Sequence, residues 1–491
     1  MQCDVLVIGG GSAGCVAAAE LSRRGVGRVL VLEAGPSEKH PLVSMPFGLT
    51  WLMGGKRDWR FRSADMDGRT IAVPRGRMLG GSGSINSMVW FRGRASDFDG
   101  WQVTGWSWTD VEPAFEAVEA KLKPTLYEDG HPLVAGLEPM LPSNSAQPTP
   151  DVESAGPFSH NMIDGRRNSA ATAFLRPSRA EVRTGTEVDR LLWNGDRAMG
   201  CVLTDGTEIR ASKGVILSAG SLASPAILMR SGVGPADDLR RLGIDVRLDA
   251  PEVGANLHDH PGIGLHFEGA GTGYGLEPAQ WLAWVKSALG YPFGKGRFTS
   301  PTVEGGAFFN ARGDGAEPDV QSHFIPFHLD HRGQKYALKS GYFADVCLCR
   351  PKSRGVFRLT SKDPTAPPHI DLGLFRDESD LDTMVAGVTR LRSLLEKADF
   401  GDRRGTEVHP GPAVAGDDLR AFIKGNAGTA YHPVGTLRLG GPVTARCRVE
   451  GVQGLWVADA SVMPQVTSAN TNAPSMMIGW KAAEMIAEDA V

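Results

Sequence analysis

The opening residues, CDVLVIGGGSAGCVAAAELSRRG, limit what this chain can become more than any other stretch. An apolar run ends in a glycine turn, and a helix-forming run follows at once. Gly9, Gly11 and Gly14 fit the spacing GxGxxG. Gly9 allows the tight turn, Gly11 lets backbone approach a pyrophosphate, and Gly14 permits close packing of helix on strand. The helix then begins at Ser12 and Ala13, with free N–H groups facing the phosphates. A second strand, RVLVLEAG, reaches Glu33, 19 residues beyond Gly14, with Ala34 next. An acid there accepts hydrogen bonds from the ribose hydroxyls of an adenosine. This order of strand, glycines, helix, strand and acid predicts a dinucleotide site. On this segment alone, nicotinamide and flavin dinucleotides both remain open.

Later stretches return to the same theme. In PRGRMLGGSGSINSMVWFRGR, Gly80, Gly81 and Gly83 with Ser82 and Ser84 make a loop rich in backbone donors. It runs into a segment that is apolar except for Asn86 and Ser87, which reads as a second phosphate- or ring-contacting loop. GVILSAGS is a strand ending at Ala219-Gly220, and SPAILMRSG starts a helix. GLWVADASVMP is another apolar strand ending in an acid, Asp459, and APSMMIGWKAAEMIAEDA closes the chain as a helix. Residues 108–122 have helical spacing, and a short strand pair falls around 181–210. Residues 36–70 look irregular, and 123–160 read as a long surface loop. Between 260 and 425 the runs PDVQSHFIPFHL, YFADVCLCR and GVFRLTS alternate as strands of a mostly antiparallel sheet do. Helical patterns at 276–290 and 377–397 would cover that sheet.

The expected fold class is therefore α/β plus antiparallel β. A discontinuous Rossmann-like domain is assembled from 1–122, 166–260 and 426–491. Residues 123–165 form a loop or substrate-domain segment, and a domain built on the antiparallel sheet, 261–425, is inserted. A site between the two would draw on both.

Charge and cysteines narrow the partners. The formal net charge of −4 argues against nucleic acid, which favours a basic surface. The first strand starts at Cys3, leaving no room for a secretory signal, and no apolar run approaches the roughly 20 residues of a membrane span. Six scattered cysteines without a CxxC pair suggest a reducing cytoplasm. His258-Asp259-His260 imitates a metal pair but lacks further ligands, so no metal is expected and the triplet reads as a structural turn. His323, Phe324, Phe327 and His328, with His331 beyond, are candidates for a substrate wall. Cys347 and Cys349 read as core.

Several of these stretches carry a resemblance. IGGGSAG, GRMLGGSGSINSMVWFRG, AGSLASPAILMRSGVGP, VGANLHDHP, HPVGTLRLG and VADASVMPQVTSANTNAPSMMIG, in this order, make the chain similar to the glucose–methanol–choline oxidoreductases. These are FAD-dependent alcohol oxidases and dehydrogenases in which an antiparallel sheet roofs the flavin. The resemblance implies that Glu33 binds the adenosine ribose and that Arg77–Ser84 runs along the pyrophosphate and ribityl chain. It implies Asn86, Met88 and Val89 near the flavin ring, and Val188 at the adenine through its backbone. Asp459 and Ala460 would lie at the ribityl-phosphate part, and Asn470, Thr471 and Pro474 at the pyrimidine end. Trp59 and Ala219 join the cofactor-binding set. Members that attach FAD covalently use a histidine where this chain has Ile85, so non-covalent FAD is expected. Residues 123–165 look shorter than in many relatives.

TAYHPVGTLRLG holds the residue that the resemblance places over the reactive face of the flavin, His432, opposite Asn470. Oxidising an alcohol removes a hydroxyl proton and a hydride from the same carbon. A neutral imidazole suits the proton, and an amide can fix the substrate oxygen. The leading expectation is oxidation of a primary alcohol, neutral or aromatic, with oxygen or a quinone or other carrier reoxidising the flavin. A lyase or other non-redox flavoprotein, a choline-type dehydrogenase, a nicotinamide enzyme and a non-catalytic flavoprotein are the rivals.

Overall fold

The computed structural model describes residues 2–66, 68–127, 129–145, 147–269, 271–328 and 339–489. Two seven-stranded sheets organise it. In the first, Gln2–Ile8 pairs in parallel with Val29–Leu32 on one side and Glu208–Leu217 on the other. Glu181–Arg183 extends the first side, and Leu455–Val457 pairs with the end of Glu208–Leu217, both also parallel. Arg197–Leu203 and Val188–Asn194 add an antiparallel edge. The central strands are buried at almost every position, as parallel strands covered on both faces are.

Glycines set the spacing at the centre. Gly9 is left-handed (φ 103°), and a Cβ there would stand 2.4 Å from the Ser218 carbonyl oxygen. A Cβ at Gly14 would stand 2.1 Å from the Gly9 carbonyl oxygen. The helix Ser12–Arg23 packs along the C-terminal helix Asn472–Asp489. Their backbones touch: a Cβ at Gly479 would lie 2.3 Å from the Ala13 carbonyl oxygen.

The second sheet is antiparallel, in the order Thr406–His409, Pro261–Glu268, Gly341–Leu348, Val320–Ile325, Gly305–Phe309, Ser154–Pro157, with Gly428–Thr429 as a seventh strand also paired to Pro261–Glu268. Strand alternation divides its side chains. Val320, Phe324, Tyr342, Ala344 and Val346 enter a core with Leu381, Met384, Val388 and Leu391 of the helix Glu378–Lys397. Gln321, His323, Ile325, Phe343, Asp345 and Cys347 occupy the intervening positions, toward the first sheet.

Two expectations change here. Residues 123–160 are no surface loop: Leu133, Val134, Leu137 and Met140 are buried in the second core, and Ser154–Pro157 is an edge strand of its sheet. The proline- and serine-rich composition hid short elements that tertiary packing holds. GVFRLTS does not join the antiparallel sheet. Among the described residues Val356–Arg358 forms a two-stranded sheet with His369–Asp371, and Phe357, Ile370 and Leu372 are buried in the first core. A stretch of the expected 261–425 insertion thus packs with the nucleotide-side sheet.

The contact between the two terminal helices leaves no room for a side chain. Gly479→Val should destabilise the protein by about 1–3 kcal/mol through overpacking. The urea unfolding midpoint should fall, and an unchanged midpoint would show that the helices separate freely.

Candidate active site

One cavity of about 1160 Å³ runs between the sheets. That exceeds the roughly 300–1,000 Å³ of an ordinary ligand pocket. Gly9, Gly11, Ser12 and Ala13 line it where the first helix begins, and Glu33, Ala34, Trp59, Arg77 and Val188 line it too. Glu33 is buried. Its carboxylate accepts from Gly10 N at 3.0 Å and Gly35 N at 2.8 Å, so it holds the glycine turn as well as facing the cavity. Burial pushes its pKa up. The Arg77 guanidinium lies 4.8 Å over the Trp59 ring and donates to Glu187 at 2.8 Å.

The second glycine loop approaches the first as closely as backbone can. Gly80 N donates to the Gly10 carbonyl at 2.6 Å, and a Cβ at Gly81 would lie 2.9 Å from the Gly11 Cα. Gly81, Ser82, Asn86, Met88 and Val89 line the cavity; Gly80 and Ser84 stand behind them, with the Ser84 hydroxyl donating to the Leu79 carbonyl. Ala219, Asp459, Ala460 and Thr471 complete this wall, with Pro474 and Gly14 behind it. Asp459 accepts from Gly220 N, Ser224 Oγ, Ser461 N and Ser461 Oγ at 2.5–2.8 Å, which ties the middle and final segments together. Asn472, also lining the cavity, has a buried Nδ2 with no partner among the described residues. Helix N-terminal N–H groups, close-packed glycines and a spare amide donor fit an acceptor-rich dinucleotide.

His432 and Asn470 meet in the same cavity, with His432 Nε2 3.3 Å from Asn470 Nδ2. Tyr431, just before His432, is left-handed (φ 66°), a costly conformation for a non-glycine residue that gathers at functional positions. Arg75 holds it by donating to its carbonyl, and Tyr431 N donates to Thr429 Oγ1 at 2.8 Å.

The triplet His258-Asp259-His260 is the bracket for both residues. Asp259 Oδ1 accepts from His432 N at 2.9 Å, and His258 Nε2 accepts from Val466 N at 2.9 Å. His260 Nε2 lies 3.0 Å from the Thr467 carbonyl, and His260 Nδ1 lies 3.0 Å from His432 Nδ1. These contacts fix a proton pattern. Burial pushes the pKa of His260 down to about 4, so it is neutral near pH 7 and carries one N–H. A carbonyl only accepts, so that N–H is on Nε2. His260 Nδ1 is then an acceptor, and His432 Nδ1 must be the donor to it. His432 Nε2 is left with a lone pair facing the cavity. Burial, then His260, His323 and Arg75, hold His432 well below its ordinary pKa, in the same neutral state.

Asn470 is oriented in the same way. Its Oδ1 accepts from Gln321 Nε2 at 2.9 Å, so its Nδ2 points at His432 Nε2 and at His323 Nε2, 3.2 Å away. His323 Nδ1 lies 3.1 Å from Asp345 Oδ2, and His323 N donates to Asp345 Oδ1 at 2.6 Å. Burial alone would lower the His323 pKa, but the Asp345 carboxylate outweighs it and the net shift is upward. Two imidazoles thus face one amide with pKa values moved in opposite directions, His432 downward by burial and His323 upward by Asp345.

Of the four candidate wall residues, His323 alone lines the cavity. Phe324 faces the other side of its strand and stacks on Tyr342 at 5.1 Å. Phe327 packs with Phe47 in a separate core, and His328 pairs with Glu268. His331 lies outside the described residues. Alternation through an unbroken strand would have selected Gln321, His323 and Ile325. Cys347 is not simple core: it lines the cavity, and its Sγ lies 3.4 Å from Asp345 Oδ2. His323, Asp345 and Cys347 bring their ligand-type atoms within 4.8 Å of one another, a cluster the sequence reading missed. They are hydrogen-bonded among themselves. Asp345 is a polar residue at an inward position of the run YFADVCLCR, and that was the available signal.

The site is a large cavity with two glycine loops on its wall and a polar cluster of two histidines and an asparagine, on two sheets that share it. This defines a dinucleotide-dependent enzyme of the two-sheet kind. Residues 3–262 and 351–479 match the two parts of the GMC oxidoreductase family, and the chain belongs to that family. It is 36% identical to an oxygen-dependent choline dehydrogenase of Rhizobium rhizogenes, over 99% of this chain and 96% of that protein. It is 35% identical to an alcohol dehydrogenase [acceptor] of Pseudomonas putida, over 98% of this chain and 95% of that one. A variant of a formate oxidase of Aspergillus oryzae, solved for the effect of its substitution on FAD modification, matches with a TM-score of 0.88 at 24% identity. The match covers 99% of this chain and 98% of that one, and bears on the fold.

The proton pattern depends on one acceptor. His260→Leu should leave the His432 N–H without a partner and cost about 1–3 kcal/mol, seen as a lower urea midpoint. His260→Asn, which keeps an acceptor oxygen, should lose less. No loss in His260→Leu would mean that the two rings are not bonded.

Proposed function

We propose that this protein oxidises a primary alcohol to the aldehyde with a non-covalently held FAD, and that His432 is the base. The observation that carries this reading is the hydrogen-bond chain from the Thr467 carbonyl through His260, which leaves the His432 Nε2 lone pair facing the cavity beside the Asn470 amide. When bound, FAD supplies the two-electron acceptor for the hydride that leaves the carbinol carbon. His432 Nε2 takes the hydroxyl proton. Its low pKa keeps it unprotonated and able to accept at neutral pH. Asn470 Nδ2, set by Gln321, donates to the substrate oxygen and turns the C–H bond toward the cofactor side of the cavity. The carboxylate of Asp345 keeps the His323 ring oriented toward the same point.

The residues toward the nucleotide support the cofactor half. Glu33 has lone pairs left for the ribose hydroxyls beyond its two backbone bonds. Ile85, buried with Val43, Leu52 and Met78, offers no nucleophilic nitrogen to the ring. The names of the relatives support an alcohol substrate and admit choline. Against a cationic substrate, Asp345 is already spent on His323 and Cys347. A neutral primary alcohol is therefore the first choice, and the acceptor for the second half-reaction is oxygen or a quinone or other carrier.

Acid precipitation of the yellow protein should release all its flavin into the supernatant; colour in the pellet would mean a covalent bond. Aliphatic, aromatic and quaternary-ammonium primary alcohols should then be mixed with the enzyme without oxygen. At least one neutral alcohol should bleach the flavin and yield its aldehyde. No bleaching by any of them, with a non-redox product instead, would favour a lyase.

A further inference from the structure

Half of the exposed large apolar side chains of the described residues fall in one short stretch of the inserted region: Leu276, Trp281, Leu282, Val285, Leu289 and Phe293. The helix Trp281–Gly290 carries four of them. Its inner positions are satisfied: Ser287 is buried, and Trp284 packs against Phe47 at 5.5 Å and Phe298 at 5.5 Å. The outer positions are the anomaly. Trp281 is 60% exposed, Leu289 71% and Phe293 82%. A surface helix normally turns polar residues outward, and one that is apolar all round is normally buried.

We infer that this face docks on the surface of an anionic lipid bilayer, with the Trp281–Gly290 helix lying in the interface. Three observations select that occupant. The spacing 281, 282, 285, 289 and 293 makes one continuous stripe with a tryptophan and a phenylalanine at its ends, the composition of an interfacial helix. The Trp281 indole N–H is already bonded to the Leu276 carbonyl at 2.8 Å, so the exposed ring presents an apolar surface. Lys286 and Lys295 are exposed beside the stripe, Arg297 is turned inward over the Trp284 and Tyr274 rings, and residues 278–297 carry no acid, Glu277 standing just before them, although the whole chain has a net charge of −4. The hairpin beside the stripe adds Arg166, over the Tyr291 ring, with Asp164 as its one acid.

A second copy of the chain fits less well. A two-fold interface sets a patch against its own copy, so the exposed Lys286 and Lys295 would meet a surface that also carries more cations than acids. Anionic headgroups satisfy them, and an apolar stripe a few ångströms deep needs no matched partner shape. No described helix is long and apolar enough to cross a membrane, so docking would be on the surface. Phe47, which holds Trp284, lies two residues before Leu49, a lining residue of the cavity. The docked face is thereby joined to the cavity wall, the arrangement suited to an alcohol or an electron acceptor that partitions into lipid.

The test is co-sedimentation of the flavin-loaded protein with vesicles of phosphatidylcholine alone and of phosphatidylcholine with phosphatidylglycerol. The parent should pellet with the anionic vesicles, and at least ten-fold less with the neutral ones. Leu282→Ser, Leu289→Ser and Phe293→Ser together should leave the protein in the supernatant with its flavin retained. If that variant loses flavin, Phe293→Ser alone serves, with partial loss of binding expected. Lys286→Glu with Lys295→Glu should abolish the preference for anionic vesicles. No pelleting of the parent with either composition would overturn the inference. So would a parent dimer on size exclusion that the triple variant splits, because a second copy would then cover the stripe.

Discussion

No side chain fits where the first strand turns into the first helix, and the rest of the molecule follows from that. With the Gly9 and Gly14 positions filled by hydrogen, the Ser218 backbone can lie against the turn, and Ser218 Oγ can reach the Ala458 carbonyl at 2.6 Å. Three strand ends from the beginning, middle and end of the chain are thus drawn into one place. Ser218 N donates to the Ile8 carbonyl, and Ala458 N donates to the Leu217 carbonyl. Because the final segment is locked there, His432 and Asn470 are delivered to a cavity that begins at the N-terminal glycines. The histidine–asparagine pair near one end of the chain and the glycine turn at the other become neighbours in one cavity.

The second sheet supplies the opposite wall. Its strands spend one set of side chains on the core under Glu378–Lys397 and the other on the cavity. Gln321 sets the Asn470 amide, and His260, on the neighbouring segment, sets the His432 ring. The site is therefore oriented by groups that never need to touch a substrate. Backbone carbonyls and amides, which cannot change protonation, fix which nitrogens carry protons. The two cavity-facing histidines are shifted in opposite directions: burial above all holds the His432 pKa down, whereas the Asp345 carboxylate outweighs burial at His323.

The nucleotide side was legible in the sequence because glycine patterns and strand-end acids report local geometry. Gly9, Gly11, Glu33, Asp459 and Ala460 all line the cavity. The central parallel strands were legible because their inner runs, Val5–Ile8, Val29–Leu32 and Val215–Leu217, are apolar and buried, whereas Glu181–Arg183 is short and exposed. The substrate side was less so. Phe324 and His323 are adjacent and both suit a pocket, yet alternation sends one to the core. Asp345, Cys347 and Gln321 gain meaning only when strands distant in sequence are set side by side. His260 read as part of a turn because its partners, Thr467 and His432, are more than 170 residues away. The short elements within 123–160 owe their order to burial against the second sheet, which local composition does not encode.

The central claim is that His432, neutral and with its lone pair presented by His260, takes the proton. The most direct measurement is the rate of anaerobic flavin bleaching by alcohol across pH, in the parent and in His432→Ala. A base must lose its own proton before it can accept another, so the parent rate should rise with pH and then level. The rise should lie below 6.5, since the His432 pKa is held well under that value. His432→Ala should keep its flavin, bleach roughly 10²–10⁴-fold more slowly and lose the rise. Bleaching of His432→Ala at the parent rate, with the same pH profile, would place the base elsewhere.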